Sequence, residues 1–295
     1  MKMTRMLSTC LLVVALALGT FSDGPRPNPP LMLGGYRVLA ADFHVHSFPF
    51  SWSTLAPWDT VLEARHQGLD VIAMTPHDHV WVAKVGRWFS ELTGGPTVLV
   101  GEEITSPRYH LLAIGIQDKI SWRQSAASAI DEVHRQGGVA IAAHPRKQFW
   151  PAYDAAALRK LDGAEVLHPL VYATPIGYGE LQEFYRRARV TAIGDSDYHG
   201  IGPMGLCRTY VFAREDSAPA ILEALRAGHT VVYDREGRAY GDPELIALAA
   251  QDERFTQLQS SFSSSNQGWM VPASGGCGIV GLLGVFLFGL SRLRP

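Results

Sequence analysis

Two imidazoles one residue apart, in Asp42-Phe-His44-Val-His46, are the most chemically loaded feature of this chain. Alternate residues of an extended strand share a face, so His44 and His46 project together, and a pair of converging imidazoles suits a divalent metal. Similar residues recur at the ends of apolar runs: Thr75-Pro76-His77-Asp78-His79, Gly101-Glu102-Glu103, His110, His144-Pro145 and Asp195-Ser196-Asp197-Tyr198-His199. One His at a strand end reads as a cap or a packing residue, but repetition over six segments points to a shared site. Imidazole and carboxylate donors without thiolates suit Zn, Mn or Fe and exclude an all-oxygen Mg or Ca cage.

These residues are carried by alternating elements. The expected strands are Val38 to His46, Leu69 to Thr75, Thr97 to Glu103, His110 to Ile116, Gly138 to His144, Ala164 to His168 and Val190 to Asp195, with Arg208 to Phe212 and Thr230 to Tyr233 later. Helical patterns separate them at Trp58 to Gln67, Val80 to Leu92, Trp122 to Gln136, Tyr153 to Leu161, Tyr178 to Ala188 and Ala218 to Ala227. Gly68, Gly137, Gly138 and Gly228 follow helices where left-handed caps occur. Such alternation predicts parallel β/α units. About seven of them, with near-continuous apolar strands, favour a closed or nearly closed barrel over a doubly wound sheet. In a barrel, the strand ends that carry these residues form the active-site edge.

The chain has 295 residues with 26 Lys and Arg against 28 Asp and Glu, a net charge of −2, and 47% hydrophobic residues. That composition excludes a disordered chain, and the absence of a basic block argues against nucleic-acid binding. Cys10, Cys207 and Cys277 lie in three separate regions and suggest neither a disulfide framework nor a thiolate zinc site. At the start, Lys2 and Arg5 precede the apolar run Leu11 to Leu18 and a group of small residues, the order of an export signal over residues 1–22. A Pro-rich linker is expected over 23–36, a main domain over 37–250, and a polar spacer over 251–273. The segment 274–295 holds Gly275-Gly276-Cys277, the apolar run Gly278 to Leu290 and the closing Arg292 and Arg294. Counted from Val271 that run reaches 20 residues, enough for a bilayer, and the arginines favour a cytoplasmic C-terminus with the main domain outside. The tail resembles bacterial C-terminal sorting signals, which implies membrane attachment and a sorting protease as a partner. The expected location is therefore across the inner membrane, periplasmic or at the cell surface.

In order, Asp-x-His-x-His, Thr-x-His, Gly-x-Glu, the His ahead of Leu-Leu-Ala-Ile-Gly, His-Pro and Asp-x-His resemble the motifs of the PHP (polymerase and histidinol phosphatase) metal-dependent hydrolases, from about Ala41 to Gly200. The resemblance implies an α/β fold, a distorted (β/α)7 barrel holding two or three divalent ions (Zn, Mn or Fe). It implies that His44, His46, Glu103 and Asp197 hold one ion, that Glu103 bridges to a second held by His110 and His144, and that His77 and His199 hold a third. Two positions depart from the family pattern. Ser51 and Trp52 stand where a further His or Asp is usual, and Pro76 stands for an Asp, with Asp78, His79 and Asp59 as the nearby replacements.

A bridged ion pair lowers the pKa of a shared water, so the expected nucleophile is a metal-bridging hydroxide, and no Gly-x-Ser-x-Gly elbow competes with it. Glu103 and Arg146 are the expected catalytic residues, the Arg146 guanidinium fitting a phosphoryl group. Asp42 is expected to orient an imidazole, and Glu165 and His168 to line the cavity. His66 and His134 read as helix-surface or packing residues and His229 as a cap. The leading reading is an exported phosphoesterase acting on a small-molecule phosphoester. An ester or carbamate hydrolase on the same fold is the alternative, and a non-catalytic binding module is the alternative of another class.

Overall fold

The computed structural model describes residues 2–22, 30–169, 175–200, 203–263, 276, 277, 280, 281 and 283–285. The chain divides into two units, one made of both termini (Met1–Pro25 and Ser260–Pro295) and one of Arg26–Gln259.

In the larger unit the strands are β1 (Leu31–Leu33), β2 (Tyr36–Val45), β3 (Val71–Met74), β4 (Thr97–Ser106), β5 (Tyr109–Ile114), β6 (Val139–Ala142), β7 (Gly163–Leu167), β8 (Thr191–Gly194), β9 (Thr209–Ala213), β10 (Thr230–Tyr233) and β11 (Ala239–Gly241). They form one sheet in the order β11-β10-β9-β2-β3-β4-β5-β6-β7-β8, with β1 paired to β2. Threonines of β9 and β10 join that side of the sheet to β8. Thr209 Oγ1 donates to Gly194 O at 2.7 Å and Thr230 Oγ1 to Ala192 O at 2.8 Å. The result is a mixed α/β fold with a nearly closed, barrel-like sheet, as the strand pattern implied.

The direction of the strands differs from an all-parallel expectation. The pairs β2/β3, β3/β4, β6/β7 and β7/β8 are parallel, whereas β5 runs antiparallel to both neighbours and β9 antiparallel to β2. The cause is local: only Pro107 and Arg108 separate β4 from β5, and a two-residue connection closes a hairpin but cannot cross over. The hairpin sets Thr105 opposite His110, so both reach the same end of the barrel.

The barrel interior is packed with Leu39, Ala41, Phe43, Val71, Leu99, Leu112, Ile141 and Ile193, while alternate strand residues pack against outer helices. Those helices are α2 (Pro57–His66), α3 (Trp81–Thr93), α4 (Ala126–Arg135), the short α5 (Ala155–Leu158), α6 (Pro175–Ala188) and α7 (Ala218–Arg226), with a 3₁₀ turn at Lys147–Ala152. The Ser125 and Ser217 hydroxyls accept the free N–H groups of Ser128 and Ala220 and start α4 and α7. Gly137 and Gly228 follow those helices at φ +78° and +76°, which side-chain-bearing residues rarely adopt.

Regular structure is also found on both sides of 37–250. Leu31–Leu33 of the expected linker is strand β1, with Leu31 and Leu33 buried. Past residue 242, α8 (Pro243–Ala250) closes the expected domain and α9 (Glu253–Ser263) occupies the start of the expected spacer, where Phe255 is buried against Tyr210, Phe212 and Tyr233. The Pro-rich residues 23–29 and the spacer residues 264–273 lie outside the described residues, as does most of the apolar run from Gly278 to Leu290.

In the terminal unit, Lys2–Ser22 is a helix, α1. Gly281 lies against Leu12 and Gly284 against Ser8, closely enough to leave no room for a Cβ. Among the described residues, no helix is long and apolar enough to cross a membrane.

Candidate metal centre

Main-chain bonds at the strand ends bring the segments together. Tyr198 N donates to His44 O at 3.1 Å and His46 N to Tyr198 O at 2.9 Å, joining the segment after β8 to the end of β2. Asp78 N donates to Glu103 O at 3.0 Å and Glu103 N to Thr75 O at 3.2 Å, joining the segment after β3 to β4. His144 and Asp197 sit at φ +26° and +45°, a region non-glycine residues avoid unless their surroundings impose it.

At the centre, Asp197 Oδ1 lies 3.2 Å from His44 Nε2 and 3.0 Å from His46 Nε2, and Glu103 Oε2 lies 3.4 and 3.5 Å from the same two nitrogens. Ligand atoms held tetrahedrally at ~2.0–2.1 Å from an ion stand about 3.3–3.4 Å apart. His44 Nε2, His46 Nε2 and Asp197 Oδ1 are buried and make no hydrogen bond, a costly condition for buried polar atoms that a shared cation removes. The donor set fits a divalent ion. Beside it, Glu103 Oε1 lies 2.7 Å from His110 Nδ1 and 3.2 Å from His144 Nε2, so the two oxygens of one carboxylate face two donor sets.

A third set joins His46, His77 and His199, whose ligand atoms lie within 4.8 Å of one another. Its carboxylates come from neighbours: His77 Nδ1 lies 2.9 Å from Glu103 Oε2, and His199 Nδ1 3.5 Å from Asp197 Oδ1. All eight expected ligands, His44, His46, His77, Glu103, His110, His144, Asp197 and His199, therefore meet at one end of the barrel. His44, His46 and Glu103 form a buried floor, while His77, His110 and His199 are partly open toward solvent.

Ser51, at a departing position, is buried and its Oγ accepts the His77 N–H at 3.0 Å, so it seats the His77 backbone. Asp78 Oδ1 accepts the Thr105 N–H at 3.2 Å, His79 packs on Phe50, and Asp59 is exposed on α2. None of these three belongs to a donor set among the described residues.

Two expected roles change. Asp42 does not orient an imidazole. Its carboxylate accepts the N–H groups of Ser196 and Gly205 at 3.1 and 2.8 Å and the Ser196 hydroxyl, and so holds the segment leading to Asp197. The residue behind an imidazole is Glu165, whose Oε1 accepts from His44 Nδ1–H at 2.8 Å while Oε2 accepts the His144 N–H at 2.7 Å. The other change is at Arg146, which is exposed and pairs with Glu180 at 3.6 Å.

His168 is a further member of the cluster. Its Nε2 lies 3.3 Å from Asp197 Oδ2, and with His44, His144 and Asp197 it forms another donor set. Asp195, fully buried beneath, was outside the ligand set read from sequence. Burial and the nearby Glu165 push its carboxyl well above the usual range.

The electrostatics follow from this packing. Burial lowers the His46 imidazole to about 3, which keeps it neutral and able to ligate. Burial also acts against charge on His44, but Asp197, Glu103 and Glu165 outweigh it and hold that imidazole well above its ordinary value. The Glu103 and Asp197 carboxyls are held well below theirs, because the surrounding imidazoles overcome a burial penalty that favours protonation.

No family model matches the chain. It is similar to an uncharacterized protein of Methanocaldococcus jannaschii, 27% identical over an alignment of 145 residues covering 44% of this chain and 82% of the relative. A solved structure from Bacteroides vulgatus, a two-domain protein containing a predicted PHP-like metal-dependent phosphoesterase, aligns with a TM-score of 0.60 at 23% identity, over 79% of this chain and 74% of that one. That likeness establishes the fold. This barrel shares the fold of that structure.

Proposed function

We propose that this PHP-like chain is a metal-dependent hydrolase that cleaves a small-molecule phosphoester. The observation that carries the reading is the convergence of His44 Nε2, His46 Nε2 and Asp197 Oδ1 as buried atoms without hydrogen bonds, with Glu103 between two donor sets. Bound divalent ions would supply an activated water and charge neutralisation for the attacked group. Glu103 would serve both donor sets, one with His44 and His46 and one with His110 and His144. Glu165 keeps the His44 proton on Nδ1 and leaves Nε2 as the donor, and Asp42 fixes the segment that presents Asp197. His77, His110 and His199 line the open side, where a substrate can enter.

The test is turnover of 4-nitrophenyl phosphate by protein with a measured metal content. Two or more bound ions with chelator-sensitive turnover support the reading. Loaded protein that cleaves only 4-nitrophenyl acetate would replace it with carboxylic ester hydrolysis, a second reading favoured by the pairing of Arg146 with Glu180, which engages the guanidinium expected to meet a phosphoryl group.

We also propose that the domain works outside the cytoplasm. The charged, apolar and small-residue order of the first 22 residues and the apolar, arginine-ended tail support this reading, with membrane attachment through the tail and a sorting protease as its partner.

A further inference from the structure

The segment joining β2 to α2 is built inside out. Residues 47–58, Ser-Phe-Pro-Phe-Ser-Trp-Ser-Thr-Leu-Ala-Pro-Trp, contain no charged side chain. Ser51 and Ser53 are buried, while Phe48, Phe50, Trp52 and Trp58 are between 45% and 93% exposed. Phe50 packs edge-on to Trp81 with ring centroids 5.7 Å apart and lies 4.2 Å from the His79 ring, so the aromatic surface extends onto the start of α3. Neighbouring exposed aromatic residues mark places where an apolar ligand binds.

This loop is fastened to the metal centre. Phe48 N donates to Leu55 O at 2.8 Å and closes the loop at its base. The His77 N–H donates to Ser51 Oγ at 3.0 Å, and Thr54 N donates to His199 O at 3.3 Å. The aromatic rim therefore hangs from the two histidines on the open side of the donor cluster. A molecule whose polar group reaches those histidines lays its remaining part against the rim. Membrane-binding aromatic segments carry Lys or Arg for lipid headgroups, and this loop has neither.

We infer that the substrate is an ester whose esterified group is uncharged and aromatic or broadly apolar, bound by Phe50, Trp52 and Trp81 at the mouth of the metal centre. This deepens the hydrolase reading and rests on it. The full chain, loaded with Mn²⁺ or Zn²⁺ and with its metal content measured, is titrated calorimetrically with methylphosphonate and with benzylphosphonate, which differ only in the apolar group. The expected result is benzylphosphonate binding about tenfold or more tighter. In Trp52→Ala and Phe50→Ala, metal content stays the same and the preference falls below about threefold, whereas Trp88→Ala, exposed elsewhere on α3, keeps it. Equal affinities, a preference kept by both rim variants, or no phosphonate binding by metal-loaded protein would overturn the inference while leaving turnover of 4-nitrophenyl phosphate to judge the hydrolase reading. Flotation with phosphatidylcholine vesicles that Trp52→Ala abolishes would overturn it in favour of a membrane contact. A chain that takes up no metal defeats both.

Discussion

His44 Nδ1 and Glu165 Oε1 stand 2.8 Å apart, and both side chains are fully buried. Their bond decides which nitrogen of His44 faces the donor cluster, because a proton fixed on Nδ1 leaves the Nε2 lone pair for an ion. Glu165→Gln keeps an acceptor for that proton but removes the charge. Metal affinity should fall about 10–100-fold, measured by competition with a chelator, while the far-ultraviolet circular dichroism spectrum is unchanged. Unaltered affinity would assign Glu165 to packing alone.

Metal uptake should release a proton. The neighbouring carboxylates hold the His44 imidazole above its ordinary value despite burial, so its proton is held tightly, and ligation requires it neutral. Affinity therefore rises with pH and is lost as pH falls. Calorimetric titration in buffers of different ionisation enthalpy should show about one proton released per ion at this set. No proton release would mean that the imidazole is neutral beforehand.

How far the site could be read in advance varied with the kind of signal. The ligands at strand ends were readable because period-two alternation fixes which residues share a face, and the observed strands fall within a few residues of the apolar runs. The antiparallel β5 was missed although its signal was present, since the gap between Glu103 and His110 is too short for a crossover. Glu165 and His168 could be placed at a strand end but not assigned a role. The Glu165 bond to His44 spans 121 positions and depends on barrel closure, which no local pattern encodes. Strand β1 was hidden by its proline-rich surroundings, and α9 by a Ser- and Gln-rich composition that conceals its buried anchors Phe255 and Leu258.

Stability should carry a pH signature far from the metal centre. Asp70 Oδ2 accepts the Ala40 N–H at 2.8 Å, and burial raises its carboxyl from 3.8 to about 6, with Asp216 adding to the rise and Arg37 and Arg208 opposing it. A value raised on folding means that the folded chain holds this proton more tightly. The contribution is complete below pH 3.8 and is lost as pH rises through about 6. Asp70→Asn keeps the acceptor without the charge and should gain about 1–3 kcal/mol at pH 7.5 and almost nothing at pH 4. Urea denaturation at the two pH values checks this, and an equal shift at both would refute it.

Glu103→Ala should remove both ions and all turnover, because its two oxygens face both donor sets. His134→Ala, which breaks only a partly exposed bond to Asp162, should change neither and cost at most about 1 kcal/mol of stability. Elemental analysis and a denaturant series on both proteins decide the matter. Full metal content in Glu103→Ala would show that the carboxylate does not bridge.

The most direct test is anomalous scattering from crystals of protein purified without added metal. Peaks are expected among His44, His46, Glu103 and Asp197, and between Glu103, His110 and His144, with Glu103 shared by the two ions. Strong data with no peak among these side chains, or with the four central donors turned away from one another, would contradict the account.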